Sequence, residues 1–276
     1  MTLERLSSLR TRLRAAAVER GADPRDVDIL IADATGRSVP FIVAHGELPI
    51  DPAAIGEKLE RRWAGEPLQY IRQRADFYGR EFYVDDRVLI PRPETELLVE
   101  TALKLAPERG RVVDIGSGSG AIAISIRLAR PDLIVTAVDL SMAALAVTAM
   151  NCRRLGARVD LAASDVLSGI TGRFDLILSN PPYIPGGDIA GLQVEVRDHE
   201  PRMALTPGMA GTETIERILE GSVPRLVAAG RIVMEIGIGQ ETGVRELALR
   251  HGYAVEGILP DLAGIPRTVV LSRHGH

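Results

Sequence analysis

From residue 111 onward, short runs that favour β-strands alternate with longer runs that have helical periodicity. Strands that are separated by helices pair in parallel and are covered on both faces, and ligands bind at the carboxyl ends of such strands. We therefore predict an α/β domain with a mostly parallel sheet. The last two strand-like runs have no helix between them, which predicts an antiparallel pair at one edge. The predicted strands are 111–115, 133–138, 158–162, 174–179, 231–236, 253–258 and 267–271, and the predicted helices are 119–130, 141–155, 212–229 and 241–251.

The first part of the chain, residues 1–75, follows a different pattern. Leucines recur at helical spacing from Leu3 to Leu13, and no strand pattern is evident. Asp-Pro pairs at 23–24 and 51–52 are typical of a helix N-cap followed by proline at the first helical position. We predict a small helical domain, and we expect it to help dock the substrate.

Residues 76–92 separate the two patterns. They are aromatic and β-prone, with a glycine at a turn position, and they end at the prolines of 91–93. We predict a β-hairpin that links the helical domain to a catalytic domain over residues 93–276, with a helix that starts at Glu94.

Composition and charge exclude several classes of protein. Apolar residues make up 46% of the chain and charged residues 25%, which is ordinary for a soluble globular protein. No run of about 18 apolar residues and no apolar signal core are present, so we expect a cytoplasmic protein without a membrane partner. Cys152 is the only cysteine, which excludes an internal disulfide and a multi-cysteine metal site, and we expect no metal. The formal net charge of −4 argues against duplex DNA as the main ligand.

A glycine-rich turn follows the predicted strand at 111–115 and precedes a helix. Such a turn alone could hold a dinucleotide, a phosphate or a nucleoside. Its Gly-x-Gly-x-Gly spacing differs from the dinucleotide pattern, and no Gly-Lys-Ser/Thr follows. Asp114 in the strand suits a cofactor that carries an ammonium and a carboxylate instead of a pyrophosphate. The residues that we expect to line the cofactor are Gly116, Ser117, Gly118, Ser119 and Gly120.

Acidic residues end the next two predicted strands. The Asp139 carboxylate can accept hydrogen bonds from both hydroxyls of a ribose. Asp165 can reach an adenine amino group, and Val166 would then lie beside the ring. A helix-capping role is the alternative for each acid.

The strand at 174–179 ends in the turn Asn180-Pro181-Pro182-Tyr183, at the same sheet edge as the glycine turn. The prolines restrict the backbone and remove two N–H donors. The Asn180 side-chain oxygen and the Pro181 carbonyl can each accept one N–H of an incoming –NH2, and Tyr183 can stack on a flat group. An amide or aromatic amine nitrogen is a poor nucleophile, so alignment and electrostatics must provide the rate. The turn therefore indicates methyl transfer to a planar nitrogen, with all four of its residues in the catalytic, acceptor-binding site and Asn180 also in contact with the cofactor.

Together, the glycine turn, Asp139 and the Asn-Pro-Pro-Tyr turn resemble the class I (Rossmann-like) amino-methyltransferases. Further stretches resemble the bacterial release-factor glutamine methyltransferases of the HemK type, and this resemblance covers about residue 60 to the end. These stretches are 66–71, 77–79, 89–96, 200–201, 204–205, 235–237 with Gln240, and 261–264 with Arg267.

The resemblance implies a reaction. S-adenosylmethionine would donate a methyl group to the glutamine of the Gly-Gly-Gln loop in class 1 peptide-chain release factors, which tunes translation termination. The products would be N5-methylglutamine and S-adenosylhomocysteine. The resemblance also implies that 116–120, Asp139 and Val166 line the cofactor and that 180–183 hold the glutamine. The family often has an aromatic residue beside Asp165, where this chain has Val166.

Other functions stay open on the residues alone. An N6-adenine or N4-cytosine nucleic-acid methyltransferase uses the same turn on a flipped base. Such an enzyme should carry a basic face or a target-recognition domain, whereas this chain is acidic and its N-terminal part is short. A ribosomal-protein glutamine methyltransferase would differ only in its docking surface. A module that binds the cofactor without catalysis would have a degraded glycine turn or a replaced Asn180, and both are intact.

Overall fold

The computed structural model describes residues 3–274. The helices, in chain order, are α1 Leu6–Glu19, α2 Pro24–Thr35, α3 Val39–Ala44, α4 Ala53–Trp63, α5 Leu68–Arg72, α6 Glu96–Leu105, α7 Ala121–Ala129, α8 Met142–Leu155, α9 Val194–His199, α10 Arg202–Leu205, α11 Glu213–Ser222 and α12 Glu241–Arg250. The strands are β1 Glu4–Arg5, β2 Pro49–Ile50, β3 Ala75–Phe77, β4 Arg80–Phe82, β5 Arg111–Ile115, β6 Ile134–Asp139, β7 Asp160–Ala163, β8 Phe174–Ser179, β9 Leu226–Glu235, β10 Tyr253–Pro260 and β11 Pro266–Arg273. Short 3-10 helices lie at Pro93–Thr95 and Ile189–Gly191.

The chain forms two compact units. The first contains the residues up to Gln73 and also Val194–His199, which is α9. The second contains Arg74–Gln193 and the chain from Glu200 onward. The helical unit thus includes a segment that comes more than a hundred residues later than the rest of it, and the sequence pattern did not predict this.

The helical unit is built largely as its sequence pattern predicts. Leu6, Leu9 and Leu13 of α1 are buried in one apolar cluster with residues of α2 and α4. The Asp23 side chain accepts the Arg25 N–H and caps α2, as predicted. At the second Asp-Pro pair, α4 starts one residue later than predicted, at Ala53. The two-residue strands β1 and β2 pair antiparallel, which the sequence did not predict.

The second unit is organised around a seven-stranded sheet in the order β10-β11-β9-β8-β5-β6-β7. Strands β5 to β9 are mutually parallel, and β11 runs antiparallel between β9 and β10. Helices cover both faces: Val112 of β5 belongs to one apolar cluster with Leu98 of α6, and Val113 belongs to another with Ile218 of α11. The predicted α/β class, with its antiparallel pair at one edge, is confirmed.

Several element boundaries differ from the predictions by two residues or more. The hairpin β3–β4 is only eight residues long and turns at Tyr78 and Gly79, both of which have positive φ. The rest of the predicted hairpin, from Tyr83 to Arg92, contains no strand. The helix predicted to reach residue 229 ends at Ser222, because Pro224 prevents its continuation, and β9 begins at Leu226. The helix expected from Glu94 begins instead as a 3-10 turn before α6. Within residues 3–274, no helix is both long enough and apolar enough to cross a membrane.

Candidate active site

The carboxyl ends of β5, β6 and β8 meet at one edge of the sheet, where the second unit has a cavity of about 540 Å³. A cavity of this size accommodates a ligand as large as a nucleoside derivative. Most of the residues predicted from the sequence lie in its wall: Gly116, Ser117, Gly118, Ser119, Asp139, Asp165, Val166, Asn180 and Pro182. The wall does not include Gly120, Pro181 or Tyr183.

The glycine turn presents an open surface to the cavity. Gly116 and Gly118 have φ angles of +74° and +54°, and a Cβ added to either would meet no atom within 4 Å. The backbone N–H groups of Gly116 and Ser117 donate to the Val138 carbonyl of β6, at 2.8 and 3.0 Å. Gly116 and Ser117 therefore do not offer free N–H groups to a ligand. The turn instead shapes the cavity wall, where its glycines allow the backbone to approach a ligand closely.

Gly120 has a packing role. Its φ is +82°, and an added Cβ would lie 2.8 Å from Thr148 Cγ2 and 2.9 Å from Ile124 Cδ1. Only glycine fits where the turn enters α7 against α8. The structure therefore does not support the predicted contact of Gly120 with the cofactor.

Asp114 lies behind the glycine turn and does not line the cavity. One of its oxygens accepts the Ala123 N–H at 3.2 Å, so it holds the first turn of α7. The other oxygen, Oδ1, is buried and has no hydrogen-bond partner among residues 3–274. Burial, with a smaller contribution from the Asp139 charge, raises the pKa of Asp114 to about 7.

Asp139 is a fixed acid in the cavity wall. Its Oδ2 accepts the Gly118 N–H at 2.9 Å, and its Oδ1 accepts the Ser141 N–H at 2.8 Å. A carboxylate oxygen can accept more than one hydrogen bond, so each oxygen keeps acceptor capacity for ligand hydroxyls. The carboxylate thus has the position and chemistry expected for binding a ribose.

The segment after β7 places Asp165 and Val166 at the other side of the cavity. Val166 has a φ of +52°, a conformation that β-branched residues rarely adopt and that marks a strained, functional position in many proteins. Asp165 is half-exposed and forms an ion pair with Arg217 of α11. The sequence did not indicate this partner. Because of this ion pair, an adenine amino group bound at Asp165 would share the carboxylate with the Arg217 guanidinium.

Asn180 begins the turn after β8 and is held by a chain of hydrogen bonds. Its Nδ2 donates to Thr95 Oγ1 at 3.1 Å, and Thr95 Oγ1 donates to Glu235 Oε2 at 2.6 Å. The other Glu235 oxygen accepts the Tyr183 O–H at 3.2 Å. Glu235, at the end of β9, is only 2% exposed, and burial raises its pKa. The amide of Asn180 therefore has a defined orientation in the cavity wall.

Tyr183 supports the turn from behind. Its hydroxyl contacts Glu235, and its ring lies against Gly237, where an added Cβ would be 3.1 Å from Tyr183 Cδ2. Burial, followed by the charge of Glu235, raises the pKa of its phenol. Because the ring is outside the cavity wall, its placement does not support the expected stacking on the acceptor. Pro181 is likewise buried and not in the wall, whereas Pro182 is in the wall.

Gln240 holds the end of the turn. Its Nε2 donates to the carbonyls of Tyr183 and Gly211, at 3.0 and 3.1 Å, and its Oε1 accepts the Gly237 N–H at 2.8 Å. A second support is the ion pair between Arg92, in the cavity wall, and the buried Glu200. All of these side chains lie in stretches that carry the family resemblance.

Two family descriptions match the chain. Residues 4–72 match the PrmC N-terminal domain, and residues 93–196 match the Methyltransferase small domain. Among solved structures, a methyltransferase from Pyrococcus furiosus has a TM-score of 0.56 and 18% identity, over 78% of this chain and 98% of its own. The ribosomal protein L11 methylase of Lactobacillus delbrueckii subsp. bulgaricus has a TM-score of 0.50 and 18% identity, over 69% of this chain and 83% of its own. At these identities, the similarity shows the fold alone, which is that of methyltransferases.

Sequence similarity is more specific. A protein of Bordetella pertussis named release factor glutamine methyltransferase is 42% identical over 93% of this chain and 97% of its own length. A protein of the same name from Moorella thermoacetica is 40% identical over 95% of both chains. Another from Neisseria gonorrhoeae is 42% identical over 81% of this chain and 83% of its own. The chain is therefore a methyltransferase and belongs to the release factor glutamine methyltransferase family.

Proposed function

We propose that this protein transfers a methyl group from S-adenosylmethionine to the side-chain amide nitrogen of a glutamine in class 1 peptide-chain release factors. The acceptor is the glutamine of their Gly-Gly-Gln loop, and the products are N5-methylglutamine and S-adenosylhomocysteine. The observation that carries the proposal is the orientation of the Asn180 amide, which is held in the wall of the same cavity as the glycine turn. The names of the relatives support the choice of acceptor.

The cavity fits S-adenosylmethionine. The open surfaces of Gly116 and Gly118 leave room for a ligand at the turn, and Asp139 offers a carboxylate to ribose hydroxyls. Val166 lies on the side where we place the adenine. When bound, this cofactor supplies an electrophilic methyl carbon on a sulfonium.

The task left to the protein is to hold the acceptor nitrogen. The lone pair of an amide nitrogen is delocalised, and no side-chain base at neutral pH removes its proton beforehand. The Asn180 carbonyl oxygen can accept one N–H of the glutamine amide. The second acceptor expected from the sequence, the Pro181 carbonyl, belongs to a residue outside the cavity wall. The Asn180 hydrogen bond orients the nitrogen and increases its electron density, so that alignment and electrostatics provide the rate. The methylated nitrogen then releases its extra proton to water, after the new N–C bond has formed.

The supporting residues make the Asn180 turn rigid. Gln240 fixes the Tyr183 carbonyl, and Ser179 Oγ donates to the Ile115 carbonyl at 2.8 Å, which ties the turn to the start of the glycine turn. Such rigidity is needed because a displacement of about 1 Å can cost roughly a hundredfold in rate.

The proposal is tested by offering S-adenosylmethionine with a labelled methyl group to three acceptors in parallel. These are a purified class 1 release factor, a purified ribosomal protein and duplex DNA. We expect label in the release factor alone. Label in DNA would favour a nucleic-acid methyltransferase, and label in the ribosomal protein alone would favour the other glutamine methyltransferase.

A further inference from the structure

On the basis of the function proposed above, we propose that Thr95 and Glu235 are positioning residues that set which end of the Asn180 amide faces the acceptor. They keep the carbonyl oxygen toward the glutamine and the NH2 group toward Thr95. The two ends of an asparagine amide are nearly identical in shape, so only hydrogen-bond partners can decide between them.

The orientation follows from counting protons. An ionised carboxylate only accepts hydrogen bonds, so Glu235 in its ionised form takes the single proton of the Thr95 hydroxyl, with 2.6 Å between the two oxygens. Thr95 Oγ1 can then only accept from Asn180, over 3.1 Å. The Asn180 group beside Thr95 must therefore be the NH2, which leaves Oδ1 for the glutamine.

The opposite orientation would disable the site. With the amide reversed, the Asn180 NH2 would meet the NH2 of the acceptor, and two donors repel each other. The acceptor nitrogen would lose the hydrogen bond that orients its lone pair. Thr95 and Glu235 thus affect the methyl-transfer step without changing the part of the cavity that we assign to the cofactor.

The charge state of Glu235 decides the orientation of the Asn180 amide, and the groups around Glu235 act on that charge state. The groups that act on it are Thr95 from the 3-10 turn, Tyr183 from the Asn180 turn, Arg267 from β11 and Glu94. The two hydroxyls and Arg267 favour the ionised form, whereas burial disfavours it most strongly, followed by the smaller effect of Glu94. A protonated Glu235 could donate to Thr95, and the Thr95 proton could then point toward Asn180 and favour the reversed amide. Methyl transfer should therefore fall when Glu235 is protonated.

The direct test compares Thr95→Val with Thr95→Ser. Valine keeps the shape and removes the hydroxyl, whereas serine keeps the hydroxyl. At neutral pH we expect Thr95→Val to lower kcat by roughly tenfold to a hundredfold. We expect the kcat of Thr95→Ser to stay within about threefold of the wild-type value, which is a smaller change than the loss of one oriented hydrogen bond causes. We expect both variants to bind S-adenosylmethionine like the wild type in calorimetry. Thr101→Val is the matched control, because the buried Thr101 hydroxyl donates to the Leu97 carbonyl at 2.7 Å, within α6 and outside the cavity wall.

A second variant tests the role of the carboxylate. Glu235→Gln has one acceptor oxygen for two hydroxyl donors, so we expect a lower kcat. We also expect the wild-type pH profile to have an acidic limb caused by Glu235, and this limb should be lost in the variant. A structural role alone would not change the shape of that profile.

The outcomes are separable. Equal kcat for Thr95→Val and Thr95→Ser would overturn the positioning role, as would an unchanged acidic limb in Glu235→Gln. A wild-type protein that methylates no release factor would instead refute the proposed function.

Discussion

Asp139, at the end of β6, accepts the Gly118 N–H at 2.9 Å, although the two residues lie 21 positions apart. The bond joins the acid to the glycine turn across the parallel pair β5–β6. The two parts of the site to which we assign the cofactor are thus one rigid assembly.

Replacement of Asp139 by asparagine should weaken S-adenosylmethionine binding. An asparagine has one acceptor oxygen for the two backbone N–H groups that Asp139 now satisfies, and it loses the charge that favours ribose hydroxyls. We expect binding to weaken by roughly tenfold to a hundredfold, since a hydrogen bond to a charged group is worth about 1.5–3 kcal/mol. Calorimetric titration measures the change, with Asp160→Asn, an exposed position on β7, as the control. Unchanged affinity in Asp139→Asn would contradict its assignment to the cofactor.

Gly118→Ala and Gly120→Ala should separate binding from packing. Both positions have positive φ, so both substitutions cost about 1–2 kcal/mol of backbone strain. The new methyl group of Gly118→Ala would enter open space at the cavity, whereas that of Gly120→Ala would collide with Thr148. We expect Gly118→Ala to lose cofactor affinity with a modest fall in Tm, and Gly120→Ala to show the larger fall in Tm. The reverse ranking in Tm would show that the turn packs differently.

Asp114 should give the stability of the protein a distinctive pH dependence. Its pKa is about 7 in the folded state and about 3.9 when unfolded. Between these values the folded state binds more protons than the unfolded state, so this group lowers the free energy of unfolding as pH rises, by up to about 1.4 kcal/mol per pH unit. Above pH 7 its contribution is constant. Relative to Asp114→Asn, the wild type should therefore lose unfolding free energy as the pH rises from about 4 to about 7. Urea denaturation across this range measures it, and a constant difference would contradict the shifted pKa.

Much of the second unit could be predicted because its features are local. Short strand-like runs that alternate with helical runs identified the strands. Because the carboxyl ends of parallel strands meet at one edge of a sheet, Asp139 and Asn180 could be placed in one predicted site. The Thr95–Glu235 contact could not be predicted, because the two residues lie 140 positions apart and only the folded sheet brings them together. The same holds for the Asp165–Arg217 ion pair and for the inclusion of α9 in the helical unit. The boundaries predicted for the domains, 1–75, 76–92 and 93–276, stay predictions.

An arginine that the helical unit buries contacts both α2 and α9. Arg62, whose side chain is 10% exposed, contacts Asp26 and Glu195, each at 2.6 Å. Arg62→Met would leave Asp26 without its cation, and we expect the free energy of unfolding to fall by about 3–5 kcal/mol, as for other buried pairs that lose one partner. Arg12→Met is the matched control, because the Arg12–Glu4 pair is exposed and worth less than about 1 kcal/mol. Thermal denaturation measures both variants. If the two substitutions lower Tm equally, the Arg62 ion pairs stabilise this unit no more than the exposed Arg12–Glu4 pair does.

The central claim is that Asn180 holds the loop glutamine of a release factor for methylation, and mass spectrometry of the methylated release factor tests it most directly. Purified release factor, with its Gly-Gly-Gln glutamine intact or changed to alanine, is incubated with S-adenosylmethionine and either the wild-type protein or Asn180→Ala. We predict one methyl group on the loop glutamine with the wild type. We predict almost none with Asn180→Ala, although this variant still binds the cofactor, and none on the alanine-substituted release factor. Equal methylation of the two release factors, or undiminished transfer by Asn180→Ala, would contradict the claim.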